Sequence, residues 1–188
     1  QEGIHEIPAS RSMKKALASS DSGIIAEFKR RSPSKGWIKQ EARPEEIVPS
    51  YVTAGASALS ILTDEKFFGG SLKDIRTARP LVDIPIIRKD FIIDEYQLYQ
   101  AKIVGADAVL LIAAALEQGK CQELAGQAHE LGLEVLLEIH SAEELPYINS
   151  QIDMIGINNR NLGTFYTDVE NSFRLAGQLP QNTVLVSE

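Results

Sequence analysis

"GIIAEFKRRSPSKGW", Gly23 to Trp37, contains a conflict that the fold has to resolve. Ile24 to Phe28 reads as a buried strand, yet Glu27 lies inside it and Lys29, Arg30 and Arg31 follow at once. A Ser-Pro-Ser-Lys-Gly turn comes next. A central strand that ends in a burst of charge must meet something polar at that end.

Six more runs have the same apolar, β-branched character: Ala58–Leu62, Ile84–Ile87, Ala108–Ile112, Leu133–Ile139, Met154–Ile157 and Val184–Val186. Longer stretches of helical periodicity separate them, at Pro44–Ala54 (with Pro49 inside), Ser71–Val82, Asp94–Val104 and Glu117–Leu131. Asp94 with Gln97, Ser141 with Glu144, and Thr167 with Glu170 have capping-box spacing, and Gly105 and Gly132 are placed to end helices. Strand and helix repeated at this pace predict parallel strands joined by crossovers. The runs lack strict alternation, as expected when both sheet faces are covered. An open doubly wound sheet and a closed (β/α)8 barrel both satisfy this pattern.

The ends of the runs separate the two. Glu27 and Lys29 close the first, Thr63-Asp64-Glu65-Lys66 follows the second, and Arg88-Lys89-Asp90 the third. The fifth carries Glu138, the sixth leads into Asn158-Asn159-Arg160, and the seventh into Ser187-Glu188. Only the fourth continues into alanines, Ala113 to Ala115. An open sheet concentrates ligand chemistry at one switch point, whereas a barrel gathers side chains from many strand ends around a single mouth. The expected fold is therefore an α/β (β/α)8 TIM barrel. Residues 1–22 form an N-terminal extension helix and linker, and 23–188 form barrel units one to seven. The runs recur about every 27 residues, and (β/α)8 barrels typically need about 250. The runs reach only the seventh strand, an incomplete barrel, so the barrel is expected to continue past Glu188.

Residues two apart on a strand point the same way. Glu27 and Lys29 then project together, as do Asn158 and Arg160, and Lys89 and Glu138 join them from neighbouring strands. Two lysines, two carboxylates, an asparagine and an arginine suit an anionic substrate undergoing proton transfers without a metal. A plainer reading stands beside this one: Glu27 and Lys29 could simply pair with each other, and Glu138 could be satisfied by a neighbouring cation. Arg30 and Arg31 read as a solvated basic turn. "FFGGS", Phe67–Ser71, reads as a turn into a helix cap more readily than as a phosphate cradle, and Cys121 as a packing residue. Phe67, Phe68 and Phe91 lie beside the rim and could wall an aromatic ligand.

Composition limits the function classes. The chain has 188 residues, 44% hydrophobic and 24% charged, which is ordinary for a globular protein. A net charge of -7 gives no basic field for nucleic acid or a membrane surface. No apolar run reaches a membrane span of roughly 18 residues. A single cysteine leaves no intramolecular disulfide and suggests a reducing cytoplasm. With His5 and His129 far from any strand end, His140 has no histidine cluster around it to suggest zinc.

The motifs "IIAEFKRRSPSKG", "SILTDEKFFGGS", "IIRKDFIIDEYQ", "ADAVLLI", "EVLLEIH", "IGINNRNL" and "VLVSE" resemble, in order, the strand motifs of the indole-3-glycerol phosphate synthase family. The resemblance runs from about Arg11 to Glu188. It implies a (β/α)8 barrel and a cofactor-independent enzyme of tryptophan biosynthesis, a carboxy-lyase. Its substrate is a small anionic sugar phosphate, 1-(2-carboxyphenylamino)-1-deoxyribulose 5-phosphate. The expected form is a cytoplasmic monomer with no nucleic-acid or membrane partner. By the same resemblance Lys89 is the acid at the substrate carbonyl, Glu138 the base of dehydration, and Lys29 the contact to the substrate carboxylate and a second acid. Glu27 and Asn158 orient hydroxyls and lysines. Ser32, Arg160 and Glu188 contact substrate, and Phe91 walls the anthranilate ring. The family pattern continues beyond the seventh strand with a serine-glycine loop and an eighth strand. The alternative is a Schiff-base, aldolase-like barrel enzyme with Lys89 or Lys29 as nucleophile. A non-catalytic barrel is a third possibility.

Overall fold

A computed structural model describes residues 10–158 and 174–187. Arg160, Glu188 and the Thr167–Glu170 capping box lie outside them. Seven strands of the described residues form one parallel sheet: β1 (Ile25–Phe28), β4 (Ala58–Leu62), β5 (Ile86–Lys89), β6 (Ala108–Ile112), β7 (Glu134–Ile139), β8 (Met154–Ile157) and β9 (Val184–Ser187). Their spatial order equals their chain order, and every pairing is parallel. Between the strands lie α2 (Pro44–Thr53), α3 (Glu65–Phe68), α4 (Leu72–Ala78), α5 (Glu95–Val104) and α6 (Gln118–Glu130).

The alternation along each strand sorts the core into two parts. Leu59 and Ile61, Val109 and Leu111, Val135 and Leu137, and Ile155 and Ile157 face outward and pack against helix residues such as Val48, Ile75, Leu98 and Leu124. Ala58, Ile87, Ala108, Leu110, Leu136 and Met154 face inward and form a second, separate cluster with Ile25, Val184 and Val186. Inward side chains from six of the seven strands, with Asn158 just past the end of β8, line one cavity. A sheet whose single inner face converges in this way is curled as a barrel wall, and an open doubly wound sheet is excluded.

The foot of the wall is held by α1 (Met13–Ser19), whose Met13 is fully buried in the inner cluster. Glu134, at the start of β7, accepts from the backbone N–H groups of Met13 and Lys14 and from the Ser12 hydroxyl. A carboxylate at a helix N-terminus satisfies orphan donors and complements the helix dipole. Beside it, Arg79 donates to Asp107 at 2.6 Å and to the carbonyls of Val82 and Ile84, while Asp107 also accepts from the Ile86 and Arg11 amides. A Cβ on Gly105 (φ +99°) would lie 2.7 Å from the Arg79 side chain, so this corner admits only glycine.

Three local expectations need correction. The third strand is Ile86–Lys89 rather than Ile84–Ile87, because Pro85 has no N–H for the ladder and contributes only its carbonyl, to Leu59. The helix expected over Ser71–Val82 stops at Ala78 and tightens into a 3-10 turn, Arg79–Leu81, around Pro80. The Ser141 side chain makes no capping hydrogen bond, and Ala142–Tyr147 is a 3-10 turn containing Pro146 instead of an α-helix. The Asp94–Gln97 capping box is fully formed, with Gly105 left-handed at the helix end.

Candidate active site

Parallel strands send their carboxyl ends to one rim, and the cavity of about 950 Å³ opens there. Its walls include Glu27, Lys29, Ser32, Ser60, Lys89, Phe91, Glu138, His140 and Asn158. Every expected site residue within the described part of the chain is therefore in one place. Ser187, the last described residue, lines the same cavity.

The β1–β4 register sets Glu27 beside Ser60, and the β4–β5 register sets Leu62 beside Lys89. Glu27 consequently lies within reach of both lysines. Lys89 Nζ donates to its Oε2 at 2.9 Å, and Lys29 Nζ lies 3.3 Å from its Oε1. Ser60 adds a hydrogen bond to Oε2 at 3.3 Å. Burial works to raise the Glu27 pKa, but the charges and hydrogen bonds of Lys89 and then Lys29 outweigh it and hold the carboxyl below its usual range. Glu27 is thus an anion at neutral pH and fits the role of a bridge between cations rather than that of an acid. The plain expectation that Glu27 and Lys29 pair is met, but the same carboxylate also takes Lys89.

Glu138 is buried on the inner face of β7, beside Gly156 in the β7–β8 register. Asn158 Nδ2 donates to its Oε1 at 3.5 Å, and His140 Nε2 lies 3.9 Å from its Oε2. The two carboxylates of the mouth therefore have different settings. Glu27 carries two ammonium groups, and Glu138 has an amide and an imidazole at its two oxygens.

Ser32 belongs to a two-stranded antiparallel ribbon, β2 (Arg31–Ser32) and β3 (Gly36–Trp37), that rises from the end of β1. Its hydroxyl accepts from the Lys35 amide at 3.2 Å. Phe91 stands at the rim, edge-on to Phe67 with centroids 6.2 Å apart, and 6.5 Å from Phe68. Phe68 and Phe91 face the cavity. "FFGGS" acts as a turn: a Cβ on Gly70 would lie 2.1 Å from the Leu62 carbonyl oxygen, so the glycine permits a close chain crossing.

Arg30 is not a solvated turn residue. It makes a bidentate pair with buried Asp74, at 2.5 and 2.9 Å, and donates to the carbonyls of Ala42 and Gly69. It also lies over Phe28, 5.0 Å from the ring centroid. Arg31 is more exposed, donating to the Lys66 carbonyl and lying 5.4 Å from the Trp37 ring. Arg88 likewise turns away from the mouth, where it binds Thr63, Asp90 and the Gln97 carbonyl. Ser60 and His140 are the residues that sequence reasoning undervalued. Ser60 carried a signal, as a hydroxyl at an inner position of an apolar strand, and so did His140, two residues past Glu138.

No cluster of three or more His, Cys, Asp or Glu able to hold a metal occurs among the described residues. None of the described helices is long and apolar enough to cross a membrane.

A parallel barrel wall with lysines and carboxylates gathered at its carboxyl mouth has the architecture of a TIM-barrel enzyme. Solved structures agree on the fold. A 3-keto-L-gulonate-6-phosphate decarboxylase from Vibrio cholerae superposes with a TM-score of 0.64 at 13% identity, covering 87% of this chain and 76% of that one. A tryptophan synthase alpha-subunit from Pyrococcus furiosus superposes at 0.61 and 11%, with the same two coverages of 87% and 76%. The family itself is set by sequence. The model of the family described as indole-3-glycerol phosphate synthase matches residues 1–188. The chain is 93% identical over 188 residues to the indole-3-glycerol phosphate synthase of Bacteroides thetaiotaomicron, covering 100% of this chain and 72% of that protein. It is 46% identical over 185 residues to that of Rhodopirellula baltica, covering 97% and 71%. The chain belongs to the indole-3-glycerol phosphate synthase family.

Proposed function

We propose that this mouth closes the indole ring of 1-(2-carboxyphenylamino)-1-deoxyribulose 5-phosphate, with loss of carbon dioxide and water. The observation that carries the reading is the single carboxylate, Glu27, bridging Lys29 and Lys89 in the same cavity as buried Glu138. Lys89 gives a proton to the ribulose carbonyl oxygen as the ring carbon bearing the carboxylate attacks the carbonyl carbon. The bond to the carboxylate then breaks, and its electron pair restores the aromatic ring as carbon dioxide leaves. In the dehydration Glu138 takes a proton from the carbon beside nitrogen, and Lys29 protonates the departing hydroxyl. Lys89 and Lys29 each give one proton and Glu138 gains one, so a turnover consumes one proton overall.

The other groups support these steps. Cations near a multiply charged anion supply both binding and charge stabilisation. Phe91 offers a face to the anthranilate ring, and Ser32 and Asn158 contact polar groups of the substrate. Arg160 and Glu188 complete the proposed contacts. No step calls for a cofactor, and the reading includes a monomer in the cytoplasm. The Schiff-base alternative gives way to the family assignment.

The test is direct. The full chain, supplied with that substrate, should generate indole fluorescence, and borohydride added during turnover should leave no covalent adduct on Lys89 or Lys29. A folded protein that forms no indole, or a trapped lysine, would overturn the proposal.

A further inference from the structure

Glu138 ends each proposed turnover holding a proton in a buried position, and must lose it before the next. His140 lies two residues along the chain and lines the same cavity. Its Nε2 is 3.9 Å from Glu138 Oε2, and Asn158 donates to the other oxygen, Oε1. Its Nδ1 is 3.8 Å from Oε1 of Glu144, which the 3-10 turn Ala142–Tyr147 carries. Side-chain exposure is 7% at Glu138, against 18% at His140 and 16% at Glu144. The imidazole is therefore interposed between an inner carboxylate and an outer one. Both gaps are about 1 Å longer than a hydrogen bond, a distance that a small side-chain rotation or one bridging water closes.

We propose that His140 is a positioning residue for Glu138 and the exit for its proton. The Glu138 carboxylic acid passes its proton to Nε2 of the Nδ1–H tautomer of His140, and the imidazolium releases its Nδ1 proton to Glu144 and so to solvent. Proton exchange with water returns the ring to the Nδ1–H tautomer before the next turnover. No electron pair changes owner beyond these O–H and N–H exchanges. While Nε2 still bears the transferred proton, the imidazole donates toward Oε2 and Asn158 donates to Oε1, which returns the carboxylate to one orientation. The 3-10 turn, in place of the expected α-helix, puts Glu144 within ion-pair distance of the ring. This inference rests on Glu138 being the base of the proposed reaction.

The experiment compares kcat, KM and Tm of the full chain with those of His140→Ala and His140→Gln, with and without added imidazole. A proton-transfer group typically contributes about 10²–10⁴-fold, and one acting through another should cost His140→Ala about tenfold or more in kcat. KM should stay within about threefold, because His140 is not assigned to substrate. Free imidazole should restore much of the lost rate in His140→Ala. His140→Gln should keep the Tm and KM of the parent and remain slow. Parent-like kcat in both variants would overturn the inference, as would a loss that imidazole does not relieve and that comes with a lower Tm. Glu138→Gln serves as the control. If it still turns over, the base assignment fails and the inference falls with it. If it is inactive while His140→Ala is fully active, only the role of His140 is wrong.

Discussion

Lys89→Ala tests the proposed chemistry most sharply, because the geometry separates its catalytic cost from its structural one. The substitution removes an ammonium 2.9 Å from Glu27 Oε2. Glu27 keeps Lys29 at 3.3 Å and Ser60 at 3.3 Å, so it is not left as a bare buried charge. The lost pair is partly exposed at both ends, at 27% each, and such a pair is worth about 1 kcal/mol or less. For a chain of this size that corresponds to a fall of about 2–4 °C in Tm. The catalytic cost should be far larger. A general acid contributes about 10²–10⁴-fold, or about 2.7–5.4 kcal/mol at 1.36 kcal/mol per decade. Stopped-flow indole fluorescence gives the chemical step, and equilibrium titration of the substrate gives binding, which should change by less than about tenfold. A rate loss under tenfold would refute the assignment of Lys89 as the acid. A large loss together with a collapse in Tm would show that the structural estimate was wrong.

Glu138→Gln keeps size and hydrogen bonding, so the fold should survive while a decarboxylated, undehydrated intermediate accumulates, visible by rapid quench and mass spectrometry. Ready unfolding of that variant would mark Glu138 as a structural ion-pair partner instead. Arg30→Met leaves buried Asp74 without its bidentate partner and should cost about 3 kcal/mol, read as a Tm lowered by roughly 6–12 °C; a shift under 2 °C would return Arg30 to the solvated turn. Because folding depresses the Glu27 pKa, its stabilisation is fully present above the unfolded value of about 4.3 and is lost as pH falls through the lower folded value. The stability advantage of the parent over Glu27→Gln should therefore be flat at neutral pH and shrink below about pH 4 in urea melts, and a gap that widens in acid would contradict it.

Most strands were legible because burial on both faces leaves runs of β-branched residues that resemble little else. The mouth was legible for a related reason. Glu27 in an apolar strand is conspicuous, and a spacing of two fixes Lys29 on the same side. What escaped depended on partners distant in sequence. Arg30 is one residue from Lys29, yet Asp74, 44 residues on, pulls it to the outer side. Ser60 takes on meaning only once the β1–β4 register sets it against Glu27. The β2–β3 ribbon has two residues per strand, too short for any periodicity to show. His140 was set aside because zinc was the question asked of it, and its carboxylate neighbours come from a strand and a 3-10 turn whose geometry sequence periodicity does not report.

The clamp of Glu134 on α1 also bears on the order of folding. Each strand finds its partner in the next unit, so the wall can zip in sequence with modest loop entropy. The first helix is different, since the carboxylate that receives its amides is 121 positions further along the chain. Until β7 has joined the sheet, α1 has no counter-charge at its N-terminus, and a helix of 7 residues is too short to persist alone. α1, made before the strands of the wall, thus acquires its native contacts only after five of them are in place. During synthesis the inner face of the early strands stays uncovered, and docking of α1 marks the moment when the growing wall has reached β7, its fifth strand.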